Sequence, residues 1–238
     1  MRAGRITVST RQFEVVDVPT PDAGAGQVRI KVAAAGVCLS DVHLLEGILS
    51  PGYLKGDHVT LGHEVAGVID QVGEGVGAER IGQRVLISSR DLPQRGGCYV
   101  QSIAVPQSKP YVLPDTISFQ DAVSLPNLQL ALALLQAANL NPTAEKRALL
   151  ITGAAGGVAG MLSQLAKTHG FQTIGTARSE DKRSFALANG FDVVLDSVPE
   201  TLTAQVMQAT QRRGANLVYD HLGGAYLTAC MRSLSPMG

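Results

Sequence analysis

The chain has 238 residues, 45% of them hydrophobic, which is enough for two modest domains or one large one. Twenty basic and twenty acidic residues cancel and no basic run occurs, so binding to nucleic acid is not expected. No apolar segment is long enough to span a membrane, and no apolar stretch follows the charged N-terminus as in a signal peptide. Three widely spaced cysteines indicate a reducing compartment, so we expect a cytoplasmic protein with no membrane partner.

Residues 1 to 115 have the pattern of short strands interrupted by glycine and proline. The segment Val28–Val32 shows it most clearly, because its apolar residues alternate with charged ones as in a half-buried strand. Many short strands of this kind predict a small barrel-like β domain. The strands are expected at 14–18, 28–32, 61–72, 83–88 and 99–105.

From Phe119 onward the pattern changes to helices and strands in alternation, which predicts a parallel sheet with helices on both faces. Four strands can be placed, whereas a doubly wound dinucleotide-binding sheet normally has six. The sequence therefore predicts a partial sheet of this type. Strands are expected at 148–151, 171–177, 192–195 and 217–220, and helices at 125–140, 201–212, 225–234 and from 158 to a stop at Gly170.

A glycine-rich turn connects the first of these strands to the helix that follows it. A tight turn lets the backbone approach a pyrophosphate closely, and the free N–H groups of the helix N-terminus stabilise the anion. We therefore predict that the turn binds a dinucleotide, the alternative being a glycine-rich turn that binds nothing. Its residues are Gly153, Ala154, Ala155, Gly156, Gly157 and Val158.

The end of the second strand in this half indicates which dinucleotide is bound. NAD-binding proteins usually have an acidic residue there, which holds the ribose 2′-hydroxyl. This sequence instead has Arg178 and Ser179, followed by Lys182, and these side chains suit a 2′-phosphate. We therefore predict NADP(H) as the cofactor. NAD is the alternative, because the acidic residues Glu180 and Asp181 lie between Ser179 and Lys182. Leu222, just after the fourth strand, is predicted to contact the cofactor at the same edge of the sheet.

Two clusters in the first half of the chain carry residues able to ligate a metal. The first contains Cys38, Ser40 and His43, and the second contains His63 and Glu64. Cys38 and His63 lack the short spacing of a structural zinc site, so spacing alone supports a metal poorly. A lone cysteine is usually a small buried hydrophobe and a lone histidine a hydrogen-bonded one, and both interpretations stay open.

With these clusters, the Gly82-Gln83-Arg84-Val85 segment and the Ala-Ala-Gly-Gly-Val turn, the sequence resembles the medium-chain dehydrogenase/reductase family in both halves and in the same order. This family includes zinc alcohol dehydrogenases and related quinone reductases. The resemblance implies an α/β protein with a GroES-like β-barrel catalytic domain over residues 1–117. It implies a doubly wound Rossmann domain, incomplete at its C-terminus, over 118–238, with the active site between the two.

The resemblance also implies a role for each residue of the two clusters. Cys38 and His63 match the thiolate and imidazole ligands of a catalytic zinc, and Glu64 matches an acidic neighbour of that metal. Ser40 and His43 match a proton relay from the substrate hydroxyl to solvent. A zinc with three protein ligands and one open position polarises an alcohol or carbonyl oxygen, and hydride then passes between substrate and nicotinamide.

Two departures from the family pattern bear on the metal. The third zinc ligand, Cys or Asp in the family, is replaced by Asn127, whose amide is a weaker oxygen donor. The connection from Val85 to Gly96 is too short for the four-cysteine lobe that holds a structural zinc. One catalytic zinc and no structural zinc are therefore expected.

Three functions remain as hypotheses. The first is an NADP(H)-dependent, zinc-type oxidoreductase acting on a small alcohol, aldehyde or ketone. The second is a zinc-independent NADPH:quinone or enone reductase, which Asn127 favours, and the third is an inactive, truncated dinucleotide-binding protein, which the ending at Gly238 favours. Substrate identity and oligomeric state stay open, although family members are commonly dimers or tetramers and a homo-oligomer is one expectation.

Overall fold

The computed structural model describes residues 1–48, 56–88, 97–138, 147–236 and 238. Part of the connection between Val85 and Gly96 and the end of the helix predicted over 125–140 lie outside these ranges. The chain forms two compact units, Met1–Pro126 and Asn127–Gly238. None of the helices in the described ranges has the length and apolar character needed to cross a membrane.

The first unit consists mainly of two antiparallel sheets, as the pattern of short strands predicts. Its elements in the described residues are β1 (Arg2–Thr7), β2 (Gln12–Asp17), β3 (Gln27–Ala35), α1 (Leu39–Glu46), β4 (His58–Thr60), β5 (Glu64–Val72), a 3₁₀ turn (Ala78–Arg80), β6 (Arg84–Ser88), β7 (Ser102–Pro106), β8 (Tyr111–Val112) and α2 (Phe119–Ala122). The smaller sheet has the order β2-β1-β4 and the larger one the order β7-β3-β5-β6-β8.

The core of the larger sheet follows from the two-residue period of its strands. Alternate apolar residues of β3, β5 and β6 point to one face and are almost completely buried together. Gly67 of β5 lies against β3, and a Cβ there would lie 2.1 Å from the Lys31 carbonyl oxygen. Glycine at this position therefore allows the two strands to pair, and His63 and Glu64 lie just before and at the start of β5.

Helix α1 is not among the elements expected from the sequence. Cys38 is its N-cap, and the side chain of Asp41 at the third helical position accepts a hydrogen bond from the Cys38 N–H at 3.2 Å. The helix ends at Gly47, which has the left-handed φ of 72° that glycine adopts readily. Cysteine is not a usual N-cap residue, so the start of this helix carries no standard sequence signal.

Helix α2 belongs to the first compact unit, Met1–Pro126, and the domain boundary after residue 117 stays a prediction. In a buried cluster, Ala122 of α2 packs with Ala66, Leu86 and Leu113 of the β domain. Ser118 caps α2 by accepting a hydrogen bond from the Asp121 N–H.

The second unit has the predicted alternation of strands and helices. Its elements are α3 (Leu125–Ala137, which begins in the first unit), β9 (Arg147–Ile151), α4 (Gly157–Thr168), β10 (Phe171–Ala177), α5 (Glu180–Ala188), β11 (Val193–Asp196), α6 (Pro199–Ala209), β12 (Leu217–Tyr219) and α7 (Ala225–Arg232). The four strands are parallel, in the order β11-β10-β9-β12. When the four strands are numbered along the chain, their order across the sheet is 3-2-1-4, which is the order of the first four strands of a Rossmann fold.

Strand β9 is the centre of this unit because both of its faces are buried. Leu149 and Ile151 pack in one cluster with residues of α3 and α4, and Ala148 and Leu150 pack in another with residues of α6 and α7. Gly170 has a φ of 78° just after α4, in agreement with the predicted helix stop. The carboxyl ends of β9, β10 and β12 are thereby held at one edge of the sheet.

Candidate functional site

A cavity of about 370 Å³ lies at the carboxyl edge of the parallel sheet. This is the edge at which open α/β sheets bind their ligands. Six predicted cofactor residues line it, together with three residues that the sequence analysis did not assign. The predicted ones are Gly153, Ala155, Gly156, Arg178, Lys182 and Leu222, and the unassigned ones are Thr176, Ala177 and Ser197.

The glycine-rich turn is held close to the end of β10. Gly153 has a left-handed φ of 68°, and its N–H donates to the Thr176 hydroxyl at 3.3 Å. Ala154 is buried and its N–H donates to the Thr176 carbonyl at 2.8 Å, so its role is to anchor the turn. Gly156 is the N-cap of α4, and its carbonyl accepts the first helical bond from Gly160.

The start of α4 leaves backbone donors available for an anion. The N–H groups of Gly157, Val158 and Ala159 precede the first hydrogen bond of the helix, as at any helix N-terminus. Neither Gly157 nor Val158 lines the cavity. These two residues can therefore contribute their backbone N–H groups at the helix start to anion binding, but not side-chain contacts.

Two positive side chains at the cavity have no partner within the described part of the chain. Arg178 and Lys182 make neither a side-chain hydrogen bond nor an ion pair there, and both are exposed. Arg183, by contrast, is held by Glu180 and Asp196 at 2.8 Å each. Ser179 is the N-cap of α5, where its hydroxyl accepts from the Lys182 N–H at 3.4 Å. The charges left for a ligand are therefore those of Arg178 and Lys182.

The loop after β12 is fastened to the end of β9 by Asp220, a residue that the sequence analysis did not single out. Its carboxylate accepts hydrogen bonds from the Thr152 hydroxyl at 2.8 Å and from the N–H groups of Leu222 and Gly223 at 3.0 and 3.1 Å. Burial opposes ionisation of Asp220, but these donors outweigh it and lower the pKa of the carboxyl. Burial also lowers the pKa of His221, the next residue, although the Asp220 charge opposes this.

In the first unit, Asp41 connects the two predicted clusters. This buried carboxylate accepts from the N–H groups of Cys38 and Gly62 at 3.2 and 3.4 Å and from the Tyr99 hydroxyl at 2.8 Å. Nδ1 of His63 lies 4.0 Å from the same carboxylate. Asp41 thus holds the start of α1, the turn before β5 and the Tyr99 loop together.

Cys98 is buried and Tyr99 half-buried near this carboxylate, and both stay protonated at neutral pH. Burial, with the Glu64 and Asp41 charges, raises the pKa of Cys98 to about 12. Burial and the hydrogen bond to Asp41 raise the pKa of Tyr99 above its usual value. Cys98 therefore lacks the thiolate character of a nucleophilic cysteine.

Ser40 and His43 lie three residues apart on α1 and both are half-buried. Residues at this spacing are neighbours on one helix face. The structure therefore puts the two members of the predicted proton relay side by side, and the relay itself stays a prediction.

Both halves of the sequence match models of known families. Residues 24–115 match the alcohol dehydrogenase GroES-like domain, and residues 157–238 match the zinc-binding dehydrogenase domain. The chain belongs to the medium-chain dehydrogenase/reductase family.

Relatives within this family differ in their reactions. The chain is 29% identical to a quinone oxidoreductase of Rattus norvegicus over 92% of its own length and 64% of that protein. It is also 29% identical to an NAD-dependent alcohol dehydrogenase of Sulfurisphaera tokodaii, covering 92% of this chain and 71% of that one. A mycobacterial protein solved in complex with NADPH is 29% identical, with a TM-score of 0.80 over 99% of this chain and 71% of that chain. The chain thus spans about two thirds of the length of these relatives.

The family's zinc ligands are only partly matched by the geometry. His63 Nε2 lies 3.5 Å from Glu64 Oε1, but no three His, Cys, Asp or Glu side chains in the described ranges gather closely enough to hold a metal ion. Cys38 lies at the N-cap of α1. Asn127 lies in the second unit, where its amide nitrogen would be 3.0 Å from a Cβ on Gly157. The described His, Cys, Asp and Glu side chains thus form no preformed zinc site, and the zinc stays a prediction.

Proposed function

We propose that this chain carries an NADP(H)-dependent oxidoreductase activity, in which hydride passes between the nicotinamide and a small carbonyl-containing substrate. The observation that carries the proposal is the cavity at the glycine-rich turn, where Arg178 and Lys182 present positive charges that have no partner among the described residues. The 2′-phosphate of NADP(H) is negatively charged and can pair with these two side chains, whereas the 2′-hydroxyl of NAD(H) is uncharged and cannot.

The rest of the cavity suits the other parts of the same cofactor. The pyrophosphate would be held by backbone N–H groups at the start of α4, with the positive end of the helix dipole adding to the attraction. The backbone at Gly153 is clear of side chains, because a Cβ on this residue would have Leu222 as its nearest neighbour, at 3.8 Å. NADPH bound to the mycobacterial relative supports the same cofactor here.

Quinones and enones are the substrate class that we place first. These acceptors take hydride without a metal, and the described donors do not assemble the three ligands of a catalytic zinc. Quinone oxidoreductases among the relatives support this class. The reduction would take one hydride from NADPH and one proton, and the neighbouring Ser40 and His43 are our candidates for delivering that proton from solvent.

A zinc-dependent alcohol or aldehyde activity is the second candidate. The contact between His63 and Glu64, and the hold of Asp41 on both Cys38 and His63, favour it. Cys38, His63 and Glu64 are the residues that would hold zinc, which would polarise the substrate oxygen. The relative from Sulfurisphaera tokodaii supports this alternative.

The test is turnover measured together with metal content. We expect the purified chain to oxidise NADPH with a quinone or enone and to keep that activity after dialysis against a chelator. Zinc at one equivalent per chain, with turnover on aldehydes that is lost in Cys38→Ser and in the chelated protein, would replace this assignment with the alcohol dehydrogenase one. Cofactor binding with no turnover on any quinone, enone, aldehyde or ketone would leave only a dinucleotide-binding protein.

A further inference from the structure

Three hydroxyl groups at the nucleotide cavity are close to one another, and no sequence motif marks them. Ser197 follows β11 and is buried, and its Oγ lies 3.0 Å from the Tyr226 hydroxyl and 3.5 Å from Oγ1 of Thr176. The Tyr226 hydroxyl donates in turn to the Ser197 carbonyl oxygen at 2.8 Å. Ser197 and Thr176 line the cavity, whereas Tyr226 on α7 does not. Tyr226 therefore acts on the cavity only through Ser197.

The same chain of contacts reaches the glycine-rich turn. Thr176 Oγ1 accepts the hydrogen bond of the Gly153 N–H at 3.3 Å, and the Ser197 N–H donates to the Ala177 carbonyl at 3.2 Å. These hydrogen bonds thus join four features across one wall of the cavity, namely the end of β10, the end of β11, the first glycine of the turn and helix α7. Tyr226 is the point at which this wall is tied to α7, and through α7 to a hydrophobic core.

We propose that Tyr226 is a positioning residue of the cofactor site, which fixes the wall that receives the adenosine ribose and its 2′-phosphate. This inference rests on the proposed NADP(H) function. A wall that is already held in its binding conformation loses less conformational entropy when the ligand binds, so the cofactor binds more tightly. Without the Tyr226 hydroxyl, Ser197 loses the two hydrogen bonds that join it to α7 in the described part of the chain.

Tyr219 provides a matched comparison within the same unit. It is also half-buried, and its hydroxyl also donates to a backbone carbonyl, that of Leu134. Tyr219 neither lines the cavity nor contacts a residue that does so through its hydroxyl. Tyr226→Phe and Tyr219→Phe therefore remove the same group from similar surroundings, and only the first change disturbs the cavity wall.

The experiment is calorimetric titration of the full chain and both variants with NADPH and with adenosine 2′,5′-bisphosphate. A hydrogen bond of ordinary net strength corresponds to a change of about three- to tenfold in Kd. We expect Tyr226→Phe to raise the Kd of both ligands by about this factor, and Tyr219→Phe to leave both within about twofold. In turnover, Tyr226→Phe should raise the KM for NADPH and leave kcat unchanged.

Equal effects of the two variants on Kd, or no effect of Tyr226→Phe, would overturn the proposal. If Tyr226→Phe does not fold, Ser197→Ala removes the contacts of the Ser197 Oγ to Tyr226 and Thr176 while keeping the tyrosine, and an unchanged Kd in that variant overturns the role of this hydroxyl network. Failure of the unaltered chain to bind either ligand is a different outcome, because it rejects the proposed NADP(H) function and with it the role of Tyr226.

Discussion

The hydroxyl of Thr152 donates a 2.8 Å hydrogen bond to Oδ1 of Asp220, and this bond joins the end of β9 to the loop after β12. Thr152 is fully buried, and its oxygen also accepts from the His221 N–H at 2.7 Å. Leu222, which lines the nucleotide cavity, is held by the same carboxylate. The position of this loop thus depends on one buried hydroxyl.

Replacing Thr152 with Val removes that hydroxyl while keeping the shape of the side chain. We expect the unfolding free energy to fall by about 1–3 kcal/mol, because the Asp220 carboxylate and the His221 N–H each lose a hydrogen bond. The Kd of NADPH should also rise, since Leu222 is no longer fixed. Thr152→Ser retains the hydroxyl and is the control. Denaturant unfolding and NADPH titration of both variants check this, and equal losses in Val and Ser variants would contradict it.

The lowered pKa of Asp220 predicts a particular dependence of stability on pH. A carboxyl whose pKa is lower in the folded state stabilises that state above its ordinary value of 3.8, and this contribution is lost as the pH falls through the lower, folded value. Asp220→Asn should therefore cost stability at neutral pH and progressively less in acid below that ordinary value.

The measurement for Asp220 is denaturant unfolding of the variant and the unaltered chain at several pH values. Asp181→Asn, at an exposed residue whose side chain makes no hydrogen bond or ion pair in the described ranges, is the control. A constant difference between Asp220→Asn and the unaltered chain across the acid range would contradict the role of the charge.

Arg178 is expected to set the preference between the two dinucleotides. Loss of a charge-assisted hydrogen bond of about 1.5–3 kcal/mol corresponds to a rise of about ten- to a hundredfold in Kd. Arg178→Ala should raise the Kd of NADPH by this factor and change that of NADH little. Arg232→Ala, at an exposed arginine that does not line the cavity, should change neither. Equal loss of NADH and NADPH binding in Arg178→Ala would assign Arg178 a structural role.

Two glycines of the second unit should respond in opposite ways to alanine. A Cβ on Gly175 would lie 2.5 Å from the Ala154 Cβ and 2.8 Å from the Phe191 ring, so Gly175→Ala should cost about 1–3 kcal/mol of stability by overpacking. A Cβ on Gly160 in α4 would meet nothing within 4 Å, so Gly160→Ala should gain about 0.5–1 kcal/mol. Thermal unfolding of both variants measures the sign of each change in stability, and a loss of stability in both variants would contradict this packing.

The sequence predicts the second unit well because its signals are local. The glycine turn follows a strand and opens a helix, and Arg178 stands at the end of the next strand, as the structure shows. The cavity has further residues that no short-range pattern could reveal. Ser197 and Tyr226 are 29 residues apart, and they meet only because β11 and α7 pack in one unit.

The first unit is harder to predict because its site depends on long-range contacts. Asp41 and Tyr99 are 58 residues apart in the chain, and nothing local in either segment predicts their hydrogen bond. The clusters around Cys38 and His63 are recognised through the family resemblance. Cys38 is also the N-cap of α1, which local rules missed because cysteine is an unusual N-cap.

The central claim is that the cavity beside Arg178 and Lys182 binds NADP(H). The most direct measurement is calorimetric titration of the unaltered chain with NADPH and NADH under identical low-salt conditions. We expect a Kd for NADPH at least about tenfold below that for NADH, which corresponds to about 1.4 kcal/mol from the 2′-phosphate contacts. Equal dissociation constants for the two cofactors would contradict it.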